Sequence, residues 1–283
     1  MEDKYLVCFP KCGLNDMLCR MLECYEYCVK YNRTLVIDTS RDWFRDDIRD
    51  YINFNSPIIY QGDLNELYDK LNEESTFPPE FKGELKICNN FDYTAQFEYL
   101  YGNKIIDNDL SRDFSEPVKV YVAHGGGNPV DLLKMCSLKP LILDVFRERY
   151  GQLPVDYVSV HIRNTDIRSN VDEFLEKHKE ELKDKAVFLG TDHAPTISKF
   201  REIFGNNLYS FATIPHNNGH NIHNHHRYIP NRQFNIDCFV DLLLLAAGSK
   251  LYLSTVVNST HSGYGQLAMS LHNNKDLFRQ LTA

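Results

Sequence analysis

The stretch "VDYVSVHIRNTD", Val155 to Asp166, decides how the chain is read. Val158, Val160 and Ile162 alternate there with Ser159, His161 and Arg163. Side chains alternate across a strand with a period of two, so these sets are its two faces. One face is apolar. The other finishes with an imidazole and a guanidinium pointing the same way, which raises the question of what they are there to hold.

Outward from this strand the chain alternates. A charged helix is expected near 171–183, the strand "AVFLGTD" follows, then a helix near 195–204 and the strand "LYSFAT". After a polar loop to about 232 come the helix "FNIDCFVDLLLLAAG", the strand "SKLYLST" and the helix "HSGYGQLAMSLH", with the last dozen residues expected to be helical and able to pack back on the first domain. An earlier run has the same character. "KYLVCFP" reads as a strand, "LNDMLCRMLECYEYCVKYN" as a helix with Leu14, Met17, Leu18, Met21, Leu22, Tyr25, Cys28 and Val29 on one stripe, "RTLVID" as a strand, and "PVKVYVAHGGGNP" as a strand entering a glycine-rich turn. "LKPLILDVFRERYG" is a helix closed by Gly151. Between about 40 and 115 the pattern is weak. Alternating strands and helices imply α/β layering, here as two α/β domains, residues 1–150 and 151–283.

Composition narrows the function classes. The chain has 283 residues, 43% hydrophobic and 25% charged, with a net charge of −8. That overall field gives no support to a general nucleic-acid or anionic-membrane role. No apolar run approaches the roughly 18 residues needed to cross a bilayer, and "MEDKYLVCFP" lacks the regions of a signal peptide. The 8 cysteines, Cys19, Cys24 and Cys28 among them on one helical stretch, match no zinc-knuckle spacing and read as reduced core thiols.

In an open parallel sheet ligands bind outside the carboxyl ends of the strands. Three such ends in the second run are polar: "HIRNTD", "LGTDH" and "STVVNSTHS". The last runs into a helix N-terminus, where unsatisfied N–H groups and the macrodipole favour phosphate. Arg163 adds a planar, permanently charged fork. Asp192 is placed to accept paired N–H bonds from a base such as guanine. Together these outline a nucleoside-diphosphate site.

At this point a resemblance enters. "VSVHIRNTD" resembles the H-x-R-x-T-D motif of the GDP-fucose-dependent fucosyltransferases, a group comprising the core α1,6-, the nodulation and, more distantly, the protein O-fucosyltransferases. "AVFLGTDH", "VDLLLLAAGSKLYLSTVVNSTHSGYGQLAMSL" and "CGLNDMLCRMLECYEYCVKYNRTLVID" are similar to further segments of that group. The likeness covers about residues 5–40 and 150–272. It implies a GT-B fold, two Rossmann-like domains facing a cleft, with the donor nucleotide on the second, and an inverting transfer without a metal or other cofactor. By the same resemblance Arg163 holds the β-phosphate, His161 and Asp192 contact the nucleotide, Ser259, Thr260, His261 and Ser262 lie at the diphosphate turn, and Asp241 is the acid of the last helix motif. The expected partners are a GDP-sugar donor and a glycan acceptor, with no nucleic acid and no membrane span. The expected compartment is the cytoplasm, of a bacterium or of a host cell carrying a virus-encoded enzyme. Asn164 stands where the core enzymes carry a second arginine, and Ile167 and Val171 where they carry a lysine and a glutamate. A different donor such as UDP-xylose, and a non-catalytic nucleotide-sugar or glycan-binding protein, are the alternatives.

Transfer to a hydroxyl also needs a base. The candidates are Asp38 and Asp42 in "VIDTSRD", then Asp172, then His124. "GLND", with Gly13 and Asn15, opens the first helix where N–H groups could meet donor phosphates, or where Asn15 simply caps the helix. Three rival signals remain. "HGGGN" at 124–128 resembles an esterase oxyanion loop but has no companion serine elbow. "IIDNDL" contains Asp107 and Asp109 at a metal-binding spacing. "HNNGHNIHNHHRY" at 216–228 reads as a mobile histidine-rich loop.

Overall fold

The computed structural model of the chain describes residues 3–41, 43–88, 91–93, 98–215, 231–256 and 261–283. Two compact units divide it, Met1–Cys136 and Ser137–Ala283.

In the first unit a parallel sheet is built from β1 (Tyr5–Pro10), β2 (Thr34–Ile37), β3 (Thr76–Phe77) and β4 (Val118–Ala123), in the order β2–β1–β4–β3. β1 sits inside the sheet and is apolar along its length, as a strand covered on both faces must be. Helix α1 (Leu14–Tyr31) covers one face, burying Leu14, Met17, Leu18, Met21, Cys24, Tyr27 and Cys28. Val29, expected on this stripe, is 58% exposed, because it lies about 80° round the helix from Met21. The helix stops at Asn32, whose left-handed φ of 52° lets its N–H close on the Cys28 carbonyl. The opposite face is covered by the weakly patterned middle of the chain: α2 (Leu64–Leu71), the turn at Phe81 and an antiparallel ribbon of Asp92–Tyr93, Tyr99–Tyr101 and Lys104–Ile105. Leu67, Leu71, Phe81, Leu85 and Tyr99 close over Val7, Phe9, Val36, Val120 and Val122. The aromatics that blurred the sequence pattern are this cover, with Phe81 and Tyr101 stacked at 4.7 Å.

The second unit opens with α3 (Pro140–Tyr150) and continues with β5 (Val158–Ile162), α4 (Val171–Leu182), β6 (Val187–Thr191), α5 (Ala194–Phe204), β7 (Leu208–Tyr209), α6 (Asn231–Ala247), β8 (Leu251–Leu253), α7 (Gly263–Asn273) and α8 (Lys275–Thr282). The division therefore falls ahead of residue 150. α3 goes with the second unit because it packs on α6, where Arg149 Nη2 donates to Asp237 Oδ1 at 2.6 Å. α8 also packs in this unit, with Phe278 against Phe146 of α3 at 6.2 Å.

The sheet is parallel in the order β7–β6–β5–β8, with Val160 opposite Leu189 on one side and Tyr252 on the other. Val158, Val160 and Ile162 pack against Phe174 and Leu175 of α4 and Phe200 of α5. The other face of β5 is buried too. Ser159 is fully buried and donates to the Leu244 carbonyl of α6 at 3.1 Å. A Cβ on Gly248, just past α6, would meet Ser159 Oγ at 2.2 Å. The small polar face is thus a slot into which helices come close. From Cys238 on α6 is apolar except for Asp241, and it is buried along most of its length, Asn235, Asp237 and Asp241 included.

Candidate active site

Ranked by position in the chain, the strands of the second sheet lie third, second, first, fourth. The order reverses between β5 and β8, and crevices at such switch points receive ligands at the carboxyl ends of the strands. The groups gathered at that edge are His161 and Arg163 from β5, Asp192 from β6, Ser254 after β8, and His261 and Ser262 leading into α7.

His161 is 6% exposed, and burial, with Arg163 and His261 beside it, pushes its imidazole down to about 3. The ring is therefore neutral at physiological pH. It lies 5.4 Å from the ring of Tyr264, whose hydroxyl donates to the Cys238 carbonyl at 2.6 Å. A Cβ on Gly265 would come within 2.9 Å of His161 Nδ1, so glycine at the start of α7 is what lets the imidazole sit there. Ser262 caps α7, accepting from Gly265 N–H at 3.1 Å, and His261 Nδ1 is 3.1 Å from the Ser254 carbonyl. The first-turn N–H groups of a helix have no intrahelical acceptor, which leaves this end of α7 suited to an anion.

Arg163 is fixed from several sides. Its backbone N–H donates to Ser254 Oγ at 3.3 Å, and Ser254 pairs with Ser169 Oγ at 2.7 Å. Its Nη1 donates to Asp192 and its Nη2 to Asp166. Asp192 accepts from Asn164 N–H at 2.8 Å and Thr165 Oγ1 at 2.6 Å as well as from Arg163. Its carboxylate thus anchors the loop that carries the arginine. Asn164 Nδ2 reaches Thr196 Oγ1 at 3.3 Å and lies 3.2 Å from His193 Nδ1. The supporting set of Thr165, Asp166, Ser169, Ser254 and Tyr264 was not singled out from sequence. The signals were the Thr-Asp pair inside the H-x-R-x-T-D match and the polar "ST" after the later strand.

Asp241 lies one layer back, on α6. Burial and neighbouring Asp237 push its carboxyl up to about 7, against the pull of Arg149. Its Oδ1 lies 3.9 Å from Arg149 Nη1, and neither atom has a hydrogen-bond partner among the described residues. Asp172 is on the surface of α4, its side chain 82% exposed and paired with Lys199 of α5. Asp42, Ser259, Thr260 and the histidine-rich loop at 216–228 lie outside the described residues.

In the first unit the order also reverses, between β1 and β4, and two stretches quoted separately above meet there. Lys11 N–H donates to the Ala123 carbonyl at 2.9 Å, and Asn15 Nδ2 to the Gly127 carbonyl at 3.5 Å. Asn15 is 2% exposed and its Oδ1 has no hydrogen-bond partner among the described residues. Gly13, not Asn15, occupies the N-cap of α1, and no side chain caps it. Burial lowers the His124 imidazole below its usual value, with Asp16 opposing and Arg20 assisting. Asp38, at the end of β2, is 2% exposed and accepts from Ser40 N–H at 3.0 Å, Ser40 Oγ at 2.6 Å, Arg41 Nε at 3.2 Å and Tyr68 Oη at 3.0 Å. These four bonds tie the end of β2 to the loop that follows it and to α2. Asp107 and Asp109 each cap their own turn, accepting from Asp109 N–H and Ser111 N–H at 2.8 Å.

The fold carrying these groups matches solved structures along nearly the whole chain. It is similar to the fucosyltransferase NodZ from Bradyrhizobium at 15% identity and a TM-score of 0.63, with 96% of this chain and 94% of that one covered. NodZ alpha-1,6-fucosyltransferase soaked with GDP-fucose matches at 14% identity and a TM-score of 0.60, covering 95% and 92%. POFUT1 in complex with GDP-fucose matches at 12% identity and a TM-score of 0.54, covering 99% and 95%. At these identities the likeness shows the fold, which is the GT-B type with two Rossmann-like units expected from sequence. No protein-family model and no curated protein matches the chain. Among the described residues no helix is long and apolar enough to cross a membrane.

Proposed function

We propose that this chain is an inverting glycosyltransferase that moves fucose from GDP-fucose to a hydroxyl of a glycan, without a metal. One observation carries the reading. Arg163 ends the central strand at the switch point of the second sheet, anchored by Asp192 and flanked by the N-terminus of α7, on a fold shared with proteins solved with GDP-fucose.

The chemistry follows from charge. When a sugar–phosphate bond breaks, negative charge builds on the departing diphosphate. A fixed guanidinium and a helix N-terminus stabilise that charge more in the transition state than in the ground state. His161, held neutral, is suited to hydrogen bonding with the nucleotide rather than to adding a second charge. The acceptor hydroxyl must lose its proton, and Asp38, with four hydrogen bonds already accepted, is one candidate to take it. The replacement of a second arginine by Asn164 favours one competing reading, the same fold with another donor such as UDP-xylose.

Thermal shift and transfer measured against GDP-fucose, other GDP-sugars and UDP-xylose discriminate these donors. Stabilisation by GDP and its sugars over the UDP series, with sugar transfer or donor hydrolysis, is the expected result. Activity should persist in EDTA, and Asp107→Asn and Asp109→Asn should be tolerated. Binding without any turnover would make the chain a nucleotide-sugar-binding protein instead.

A further inference from the structure

Arg163 is the one guanidinium in the phosphate role proposed above, yet both its outer nitrogens are occupied by carboxylates. The two acids are not equivalent. Asp192 has its side chain 11% exposed and also accepts from Asn164 N–H and Thr165 Oγ1, so it belongs to the loop and stays. Asp166 has its side chain 39% exposed. It holds Arg163 Nη2 through Oδ1, and Thr165 Oγ1 lies 2.9 Å from the same oxygen but is 2.6 Å from Asp192 Oδ2. A hydroxyl has one proton to give, so the shorter Asp192 contact leaves Asp166 the weaker claim on it. Burial opposes the ionised form of Asp166, but Arg163, Thr165 and nearby backbone N–H groups outweigh it and hold the carboxyl below its usual range. Asp166 is then ionised at neutral pH. With one guanidinium and two carboxylates the cluster carries a net charge of −1, the wrong sign for a diphosphate.

The geometry points to Asp166 as an internal stand-in for a donor phosphate. Its carboxylate occupies the Nη2 edge of Arg163 when no nucleotide is bound, and a phosphate oxygen must displace it to use that edge. Displacement leaves Arg163 and Asp192 as a neutral pair whose free N–H groups face the anion. The same carboxylate returns to Arg163 as the diphosphate leaves, which weakens product binding and aids turnover. The identity of the anion as part of a GDP-sugar rests on the proposed function; the competition between Asp166 and a phosphate for Arg163 does not.

Calorimetric titration of the whole chain with inorganic pyrophosphate and, separately, with GDP tests this. Asp166→Asn keeps the shape and removes the charge, so it should bind both anions about tenfold or more tighter than the wild type. Asp166→Ala, at a partly exposed loop position, should do the same, and serves if the first variant folds poorly. Asp192→Asn should move the other way, because it loosens the loop that carries Arg163. Tighter pyrophosphate binding by the Asp166 variants, with no GDP binding by any form, would keep the stand-in and overturn the GDP-sugar reading. Equal or weaker pyrophosphate binding by both Asp166 variants would overturn the stand-in, whatever GDP does.

Discussion

Arg163 is held at the carboxyl edge of the second sheet by Asp192 and Asp166. One preorganised donor to a developing anion is typically worth roughly 3 kcal/mol, so Arg163→Ala should lower turnover on the order of 100-fold or more in a steady-state transfer assay. Lysine should restore only part, since an ammonium cannot hold Asp192 and a phosphate with separate edges of a fork. A variant that keeps most of the wild-type rate would remove the phosphate role. Asp38 makes the contrasting case. Asp38→Asn replaces one acceptor oxygen by a donor, facing either the two Ser40 donors or those of Arg41 and Tyr68, and removes the charge facing Arg41. A buried mispaired polar group costs about 1–3 kcal/mol, so the variant should unfold at lower urea concentration. Loss of transfer with unchanged stability and nucleotide affinity would instead make Asp38 the base.

Among the elements, α7 sets the site, because its first turn supplies both the N–H groups and the room for His161. Gly265→Ala tests the room. The added methyl would lie 2.9 Å from His161 Nδ1 and 3.2 Å from Ser262 Oγ, so the imidazole or the helix start must shift. Overpacking of this kind costs about 1–3 kcal/mol. The expected outcome is weakened nucleotide affinity by titration, together with a modest loss of stability. Nucleotide affinity that survives unchanged would mean that His161 and the start of α7 take no part in binding. The β5–α4–α5 side of the same sheet is ordinary apolar packing and should tolerate conservative change at Val160 or Phe200 without effect on the site.

For the second unit taken whole, two buried groups bend stability with pH in opposite directions. Unfolded His161 takes a proton below about 6.5, but the native imidazole does so only near 3. Native stability from this group is complete above pH 6.5 and falls as the pH drops toward 3. Unfolded Asp241 gives up its proton above about 3.8, while the native carboxyl keeps it until about 7. That group favours the native state in acid and loses its contribution as the pH rises toward 7. Each slope is roughly 1.4 kcal/mol per pH unit inside its window, so between about pH 4 and 6.5 the two nearly cancel. Asp241→Asn should unmask a fall of stability with acid, and His161→Asn a rise, both read from urea unfolding across that range. Parallel profiles for wild type and both variants would show that neither group titrates with folding.

Periodicity alone determined the parallel α/β class, the strand at Val158–Ile162, and the position of Arg163 just past its end, because a two-residue period and a 3.6-residue period are local properties of the chain. The motif residues followed for the same reason, as strand ends in a parallel sheet share one edge. Partnership was decided only in three dimensions. Asp38, Asp172 and Asp192 are all acids near strand or helix ends in the sequence. Folding makes the first a buried knot, the second a surface ion pair with Lys199 and the third the anchor of Arg163. The meeting of Gly13-Leu14-Asn15 with His124 to Gly127 and the assignment of α3 to the second unit were equally invisible, since each depends on contacts between residues far apart in the chain. A one-dimensional pattern records which side of its own element a residue occupies; what that side meets is set by how the elements stack.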